Sequence, residues 1–168
     1  TSNGNYPNSP TSTSTLSSFN APNDVAENYG QRIKGYLSPT TTGSYTFQIA
    51  ADDDAELWLS TNDNPANKVK IASVTGWTNY LQYDKYGSQT SAAITLTAGN
   101  FYYIEALHKE GSGGDHCTVA WVGPGISHQI ISSTYLTTAP PVPLAPPGAF
   151  TLSAPANGAT GVSLSPTL

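Results

Sequence analysis

Three consecutive aspartates, Asp52, Asp53 and Asp54, interrupt the stretch IAADDDAELWLS between two apolar, alternating segments, in a chain of which only 10% is charged. A second acidic stretch, KEGSGGDH, carries Glu110 and Asp115 around Gly111, Gly113 and Gly114. Carboxylates gathered in this way suit a hard cation. Calcium takes about 6–8 oxygen ligands at roughly 2.3–2.6 Å, drawn from carboxylates, backbone carbonyls and water. Asp52, Asp53, Glu110 and Asp115 supply the carboxylates in that reading, and the glycines let a tight loop turn its carbonyls inward. The same residues also fit two solvated turns, since acidic groups and Gly-Ser runs are common in exposed connections. Spacing leaves both readings open, because it does not place two loops at the same end of a sheet.

Other chemistries find less support. Glycoside hydrolysis needs two carboxylates flanking the scissile bond at about 5–9.5 Å, and adjacent aspartates are arranged to chelate rather than to flank. The chain has no nucleophile elbow, phosphate-cradling loop or HExxH motif, so a catalytic role is not expected. His108, His116 and His128 show no zinc-ligand spacing with Cys117, which in CTVAWV reads as a small buried hydrophobe. Among the tryptophans, Trp121 sits in an apolar strand and reads as core. Trp58 alternates with Leu57 and Leu59 and takes the opposite sheet face. Trp77 in TGWTNY is the best candidate for an exposed aromatic, with packing under residues 74–91 as the alternative.

The elements that must carry these residues are strands. In GSYTFQIAA, Tyr45, Phe47 and Ile49 share one face and Thr46, Gln48 and Ala50 the other, the period-two pattern of a half-buried strand. QRIKGYL, AELWLS, KVKIAS, AAITLT, FYYIEALHK, CTVAWV and ISHQII repeat the theme between turns containing Gly, Asn or Asp. Short strands so spaced predict an all-β domain, a sandwich or a barrel. One short helix is expected near WTNYLQYD. The first thirty residues read as coil pinned by Tyr6, Leu16, Phe19 and Val25.

Composition bounds the partners. With a net charge of −5 and Lys plus Arg totalling 6, the chain lacks the basic clusters that nucleic acid or an anionic membrane surface requires. No apolar run approaches the roughly 20 residues needed to span a bilayer, and no charged-then-apolar leader opens the chain at Thr1; without an initiator methionine the sequence reads as a processed or excised piece. From Ala139 the texture changes to APPVPLAPPGAF, an extended Pro-rich spacer. The expected organisation is a domain over residues 1–138, a linker over 139–148, and residues 149–168 as either the start of a following β module or an extended strand-like tail.

Taken together, YGQRIKGYLSPTTTGSYTFQIAADDDAELWLSTNDNPANKVKIASVTGWT, YYIEALHKEGSGGDHCTVAWVGPG and their order resemble the protective-antigen and flocculin type of β-sandwich lectin domain, often called PA-fourteen, over residues 6–138. The resemblance implies an all-β fold, an antiparallel, jelly-roll-like β-sandwich, and a calcium held by Asp52 and Asp53, joined by a cis peptide, with sugar hydroxyls completing its coordination. Asp54 occupies a position where the family often has glycine, and is expected to face solvent. In the second loop the resemblance implies Glu110, Asp115 and the carbonyls of Ser112 to Gly114, Ser112 and Gly114 above all, as further metal ligands. Asp52, Asp53, Trp77, Gly113, Asp115 and His116 are the implied sugar contacts. The expected function is calcium-dependent carbohydrate binding, on terminal sugars of a polysaccharide or glycoprotein, by an adhesin-like module that is extracellular or at the cell surface. The alternative is a building block of an extracellular fibre, self-associating as the C-terminal tail adds to a neighbouring sheet edge.

Overall fold

The computed structural model describes residues 4–5 and 9–141. Tyr6, most of the Pro-rich linker and the tail over 149–168 lie outside the described residues. Nine strands form in chain order: β1 (Gly30–Leu37), β2 (Gly43–Asp52), β3 (Asp54–Ser60), β4 (Lys68–Val74), β5 (Ile94–Leu96), β6 (Tyr102–Lys109), β7 (His116–Gly123), β8 (Ile126–Ile130) and β9 (Leu136–Thr137). They make two sheets, ordered β4-β3-β6-β1-β9 and β5-β2-β7-β8. Every strand pair is antiparallel. No helix among the described residues is long and apolar enough to cross a membrane.

The core follows from alternation. β2 turns Tyr45, Phe47, Ile49 and Ala51 inward against Leu57 and Leu59 of β3, Ile104 and Ala106 of β6, and Val119 and Trp121 of β7, all buried. The Tyr45 and Trp121 rings stack with centroids 5.1 Å apart. Position 123 must be glycine for this to happen, because a Cβ there would land on the Tyr45 ring. Cys117 is fully buried, and burial pushes its thiol up to about 12, so it is an inert core residue. The outer face of the smaller sheet is also covered: Ala50 and Ala120 are buried beneath Tyr83 from the long segment after β4.

That segment contains no helix at Trp77–Asp84, contrary to the expectation. Thr78 donates its backbone N–H to Ala51 at 2.8 Å, Gln82 turns back onto Asn79 at 3.0 Å, and Leu81 takes a φ of 61°. Each contact commits a group that a helix would need for its own ladder. Near the N-terminus, Phe19 is buried as expected, whereas the Val25 side chain is 57% exposed. Its backbone is what is fastened, since Val25 N donates to Asp115 Oδ2 at 2.6 Å.

Candidate metal centre and adjoining cleft

The register brings the two acidic loops together. Asp52 at the end of β2 faces His116 at the start of β7, and Asp54 at the start of β3 faces Lys109 at the end of β6. Both connections therefore cross between the same two sheets at the same end of the sandwich. The turn joining β2 to β3 and the loop over residues 110–115 lie side by side in consequence.

Asp52, Asp53 and Glu110 form one cluster, with a carboxylate oxygen from each lying within 4.8 Å of the others. The Asp52–Asp53 peptide bond is cis, as the resemblance implies. Asp53 Oδ2 accepts from Gly111 N at 2.9 Å, tying one loop to the other. Glu110 is 2% exposed, and neither of its carboxylate oxygens has a hydrogen-bond partner. Burial first, and then the charges of Asp53 and Asp52, push the Glu110 carboxyl above its ordinary range. Asp52 is shifted the same way, by burial and then by Asp53. A buried, unpartnered carboxylate beside two half-buried ones is suited to a cation, because a buried acceptor without a donor costs about 1–3 kcal/mol or more. The donor set is all oxygen, which suits calcium rather than a softer metal.

The second loop is strapped down by residues 24–29. Asn28 N donates to Gly111 O at 2.8 Å, Asp24 N to Asp115 O at 3.0 Å, and Gly113 N to Glu27 Oε2 at 3.0 Å. The carbonyls of Ser112, Gly113 and Gly114 accept no hydrogen bond from any described residue, so their lone pairs are available. Asp115 is not part of the three-carboxylate cluster. Its Oδ2 accepts from Val25 N and Ala26 N, and its Oδ1 is buried without a partner. It instead lines a neighbouring cleft of about 210 Å³ together with Asp52, Trp77, Gly114 and His116. Four of the six expected sugar contacts, Asp52, Trp77, Asp115 and His116, thus meet there, and Asp53 and Gly113 do not. Asn23, Asp24, Thr78, Asn79 and Tyr80 complete the wall and were not singled out from the sequence. Their only signal was proximity to Trp77 or a place in the N-terminal coil.

Trp77 is 50% exposed rather than packed beneath its segment. Lys85 Nζ lies 3.2 Å from the ring centroid and donates to the Trp77 carbonyl at 2.7 Å. His116 Nε2 is 3.1 Å from the Thr78 carbonyl and so donates to it, while Nδ1 is buried without a partner. Tyr80 meets the His116 ring edge-on at 5.6 Å. Asp54 does not simply face solvent: Oδ1 accepts from Gly76 N at 2.7 Å, and Oδ2 lies 3.8 Å from Lys109 Nζ.

His108 has a positioning role that its sequence context did not reveal. Its Nε2 is 2.7 Å from the Asp52 carbonyl and its Nδ1 is 2.9 Å from Gln31 Nε2. A carbonyl only accepts and an amide nitrogen only donates, so the neutral ring protonated on Nε2 satisfies both. Burial pushes its pKa down, in keeping with that form. His108→Leu strands both partners, and chemical denaturation is expected to register a loss of about 1–3 kcal/mol.

Comparison with known proteins agrees with this architecture. The model of the PA14 domain family matches residues 8–135. Mouse N-acetyl-beta-glucosaminyl-glycoprotein 4-beta-N-acetylgalactosaminyltransferase 1 is 39% identical over 118 residues, which are 66% of this chain and 11% of the transferase. Fibrocystin from Canis lupus familiaris is 32% identical over 84 residues, 46% of this chain and 2% of that protein. This chain therefore spans a small fraction of either relative. Among solved structures, the Epithelial Adhesin 6 A domain from Candida glabrata, in complex with Galb1-3GlcNAc, superposes with a TM-score of 0.51 at 16% identity, covering 68% of this chain and 53% of the adhesin domain. At that identity the likeness bears on the fold.

Proposed function

The chain belongs to the PA14 domain family, and from that premise we propose a calcium-dependent carbohydrate-binding module of a larger secreted or cell-surface protein, supplying attachment rather than catalysis. The observation that carries the reading is Glu110, buried with both carboxylate oxygens unpartnered against Asp52 and Asp53. Those three carboxylates would hold the ion, with the carbonyls of Ser112 and Gly114 as further ligands. When bound, calcium supplies a hard centre at which vicinal hydroxyls of a terminal sugar replace water.

The chain's own residues account for the rest. Asp52 belongs to both the carboxylate cluster and the cleft, so it links ion and sugar. Asp115 Oδ1 and His116 Nδ1, polar atoms of two cleft-lining residues, are buried without hydrogen-bond partners, and sugar hydroxyls, which both donate and accept, would supply them. Trp77 offers an apolar wall to the C–H face of a pyranose. Binding of Galb1-3GlcNAc by the adhesin supports a sugar partner of this kind. The adhesin and fibrocystin likenesses support an extracellular setting.

A glycan array read with calcium and again with chelator tests the proposal. Binding is expected to at least one neutral glycan in millimolar calcium and to vanish with chelator; an array that stays blank in calcium sinks it. A second reading, a fibre building block, draws on one observation. β9, the outermost strand of the larger sheet beside β1, is two residues long and pairs with it at Tyr36 and Leu37, a short edge beside which an added strand could lie. Behaviour as a monomer at every concentration, with and without residues 139–168, counts against it.

A further inference from the structure

Asp54 is the member of the aspartate run that the ion cluster leaves out. It opens β3, and its Oδ1 accepts the N–H of Gly76 at 2.7 Å, across the sheet end from the turn that follows β4. Gly76 takes a φ of 87°, a conformation that favours glycine, and the chain then returns so that Trp77 bridges Asp52. The neighbouring groups are fastened one by one. The Trp77 carbonyl accepts from Lys85 Nζ at 2.7 Å and from the Tyr86 hydroxyl at 3.2 Å, and Thr78 N donates to Ala51 O at 2.8 Å. On the Gly76 side, the fastening is the Asp54 carboxylate.

We propose that Asp54 is a positioning residue for the aromatic wall of the cleft, holding Gly76 and so fixing Trp77, while taking no part in holding the ion. The aspartate run then does two jobs: its first two members face the cation, and the third sets the distance between that cation and the indole. The assignment of a sugar to the cleft rests on the reading above, but the fastening of Trp77 does not.

The test uses the whole chain in three forms, wild type, Asp54→Ala and Asp54→Asn, because asparagine keeps the acceptor oxygen and discards the charge. Backbone order parameters at Gly76 and Trp77 are expected to fall in Asp54→Ala from about 0.85 to below roughly 0.6, and to recover in Asp54→Asn. Calcium titrated alone is expected to bind all three forms equally. Affinity for Galb1-3GlcNAc is expected to drop roughly three- to tenfold in Asp54→Ala, the size of one lost hydrogen bond, and to return in Asp54→Asn. Unchanged order at Trp77 in Asp54→Ala overturns the proposal. So does a parallel loss of calcium affinity, which would make Asp54 an ion ligand, or an Asp54→Asn that behaves as alanine, which would point to the Lys109 pairing. If the wild type ignores the sugar, the carbohydrate reading falls, and the order parameters with the calcium titration still decide the role of Asp54.

Discussion

Asp53→Asn is expected to weaken calcium binding by about a hundredfold or more and to remove glycan binding with it. Calcium affinities in oxygen sites span many orders of magnitude with the number of charged ligands and the rigidity of the site. Here the proposed charged ligands are three, Asp52, Asp53 and Glu110, gathered within 4.8 Å. Asparagine preserves the oxygen that accepts from Gly111 N at 2.9 Å, so the two loops stay tied while one negative charge is lost. The change thereby separates charge from architecture. Asp53→Ala removes both, and is expected to lose calcium at least as completely. In calcium-free solution Asp53→Asn is expected to move stability the other way, because it relieves repulsion on Glu110 and Asp52, whose carboxyls its charge pushes up. Calorimetric titration with calcium, beside thermal melts in chelator, measures both arms. Near-wild-type calcium affinity in Asp53→Asn would mean that backbone carbonyls hold the ion and that the carboxylate cluster is incidental.

The residue types of this site were legible in the sequence, and its geometry was not. Two acidic loops each following a strong strand are visible as text, but their contact depends on β2 crossing to β3 and β6 crossing to β7 at the same sheet end, which is a matter of strand order. Period-two alternation assigned Tyr45, Phe47 and Ile49 to the core, because inward and outward positions differ sharply in that strand. The same logic does not reach the segment after β4. There Gly76, Thr78 and Tyr80 obey no period and are placed by individual hydrogen bonds, Gly76 to Asp54, Thr78 to Ala51 and His116, and Tyr80 to Asn20. Asp24 and Asn23 entered the cleft wall unforeseen, because residues 24–28 dock through their backbone N–H groups while the Val25 side chain stays exposed. His108 read as an unremarkable strand residue, since its value lies in two partners far away in sequence, Gln31 and Asp52. Asp54 is the sharpest case: its neighbours suggested a spare surface charge, and only the fold shows which amide it holds.

Calcium is expected to raise the melting temperature strongly at neutral pH and hardly at all in mild acid, a second large effect of the same three carboxylates. At a free concentration of about a thousand times Kd, binding to the folded state alone contributes about 4.1 kcal/mol, or roughly 8–16 °C for a domain of this size. The pH dependence follows from the direction of two shifts. Asp52 and Glu110 hold their protons to higher pH in the folded chain than in the unfolded one. Where the native state binds more protons, stability falls as pH rises. The contribution of these two groups to the calcium-free protein is therefore full below their unfolded values of about 4, and is lost as pH climbs through their raised folded values. Ion binding demands the ionised carboxylates, so affinity runs the opposite way, weak where the protons are held and strong once they have left. Melts in calcium and in chelator should thus diverge as pH rises from about 4.5 to 8, and the divergence should shrink in Glu110→Gln, which removes the buried carboxylate and leaves Asp52 to titrate. A gap that stays constant across that range, or one that is undiminished in Glu110→Gln, would show that the stabilising ion sits somewhere other than between Asp52, Asp53 and Glu110.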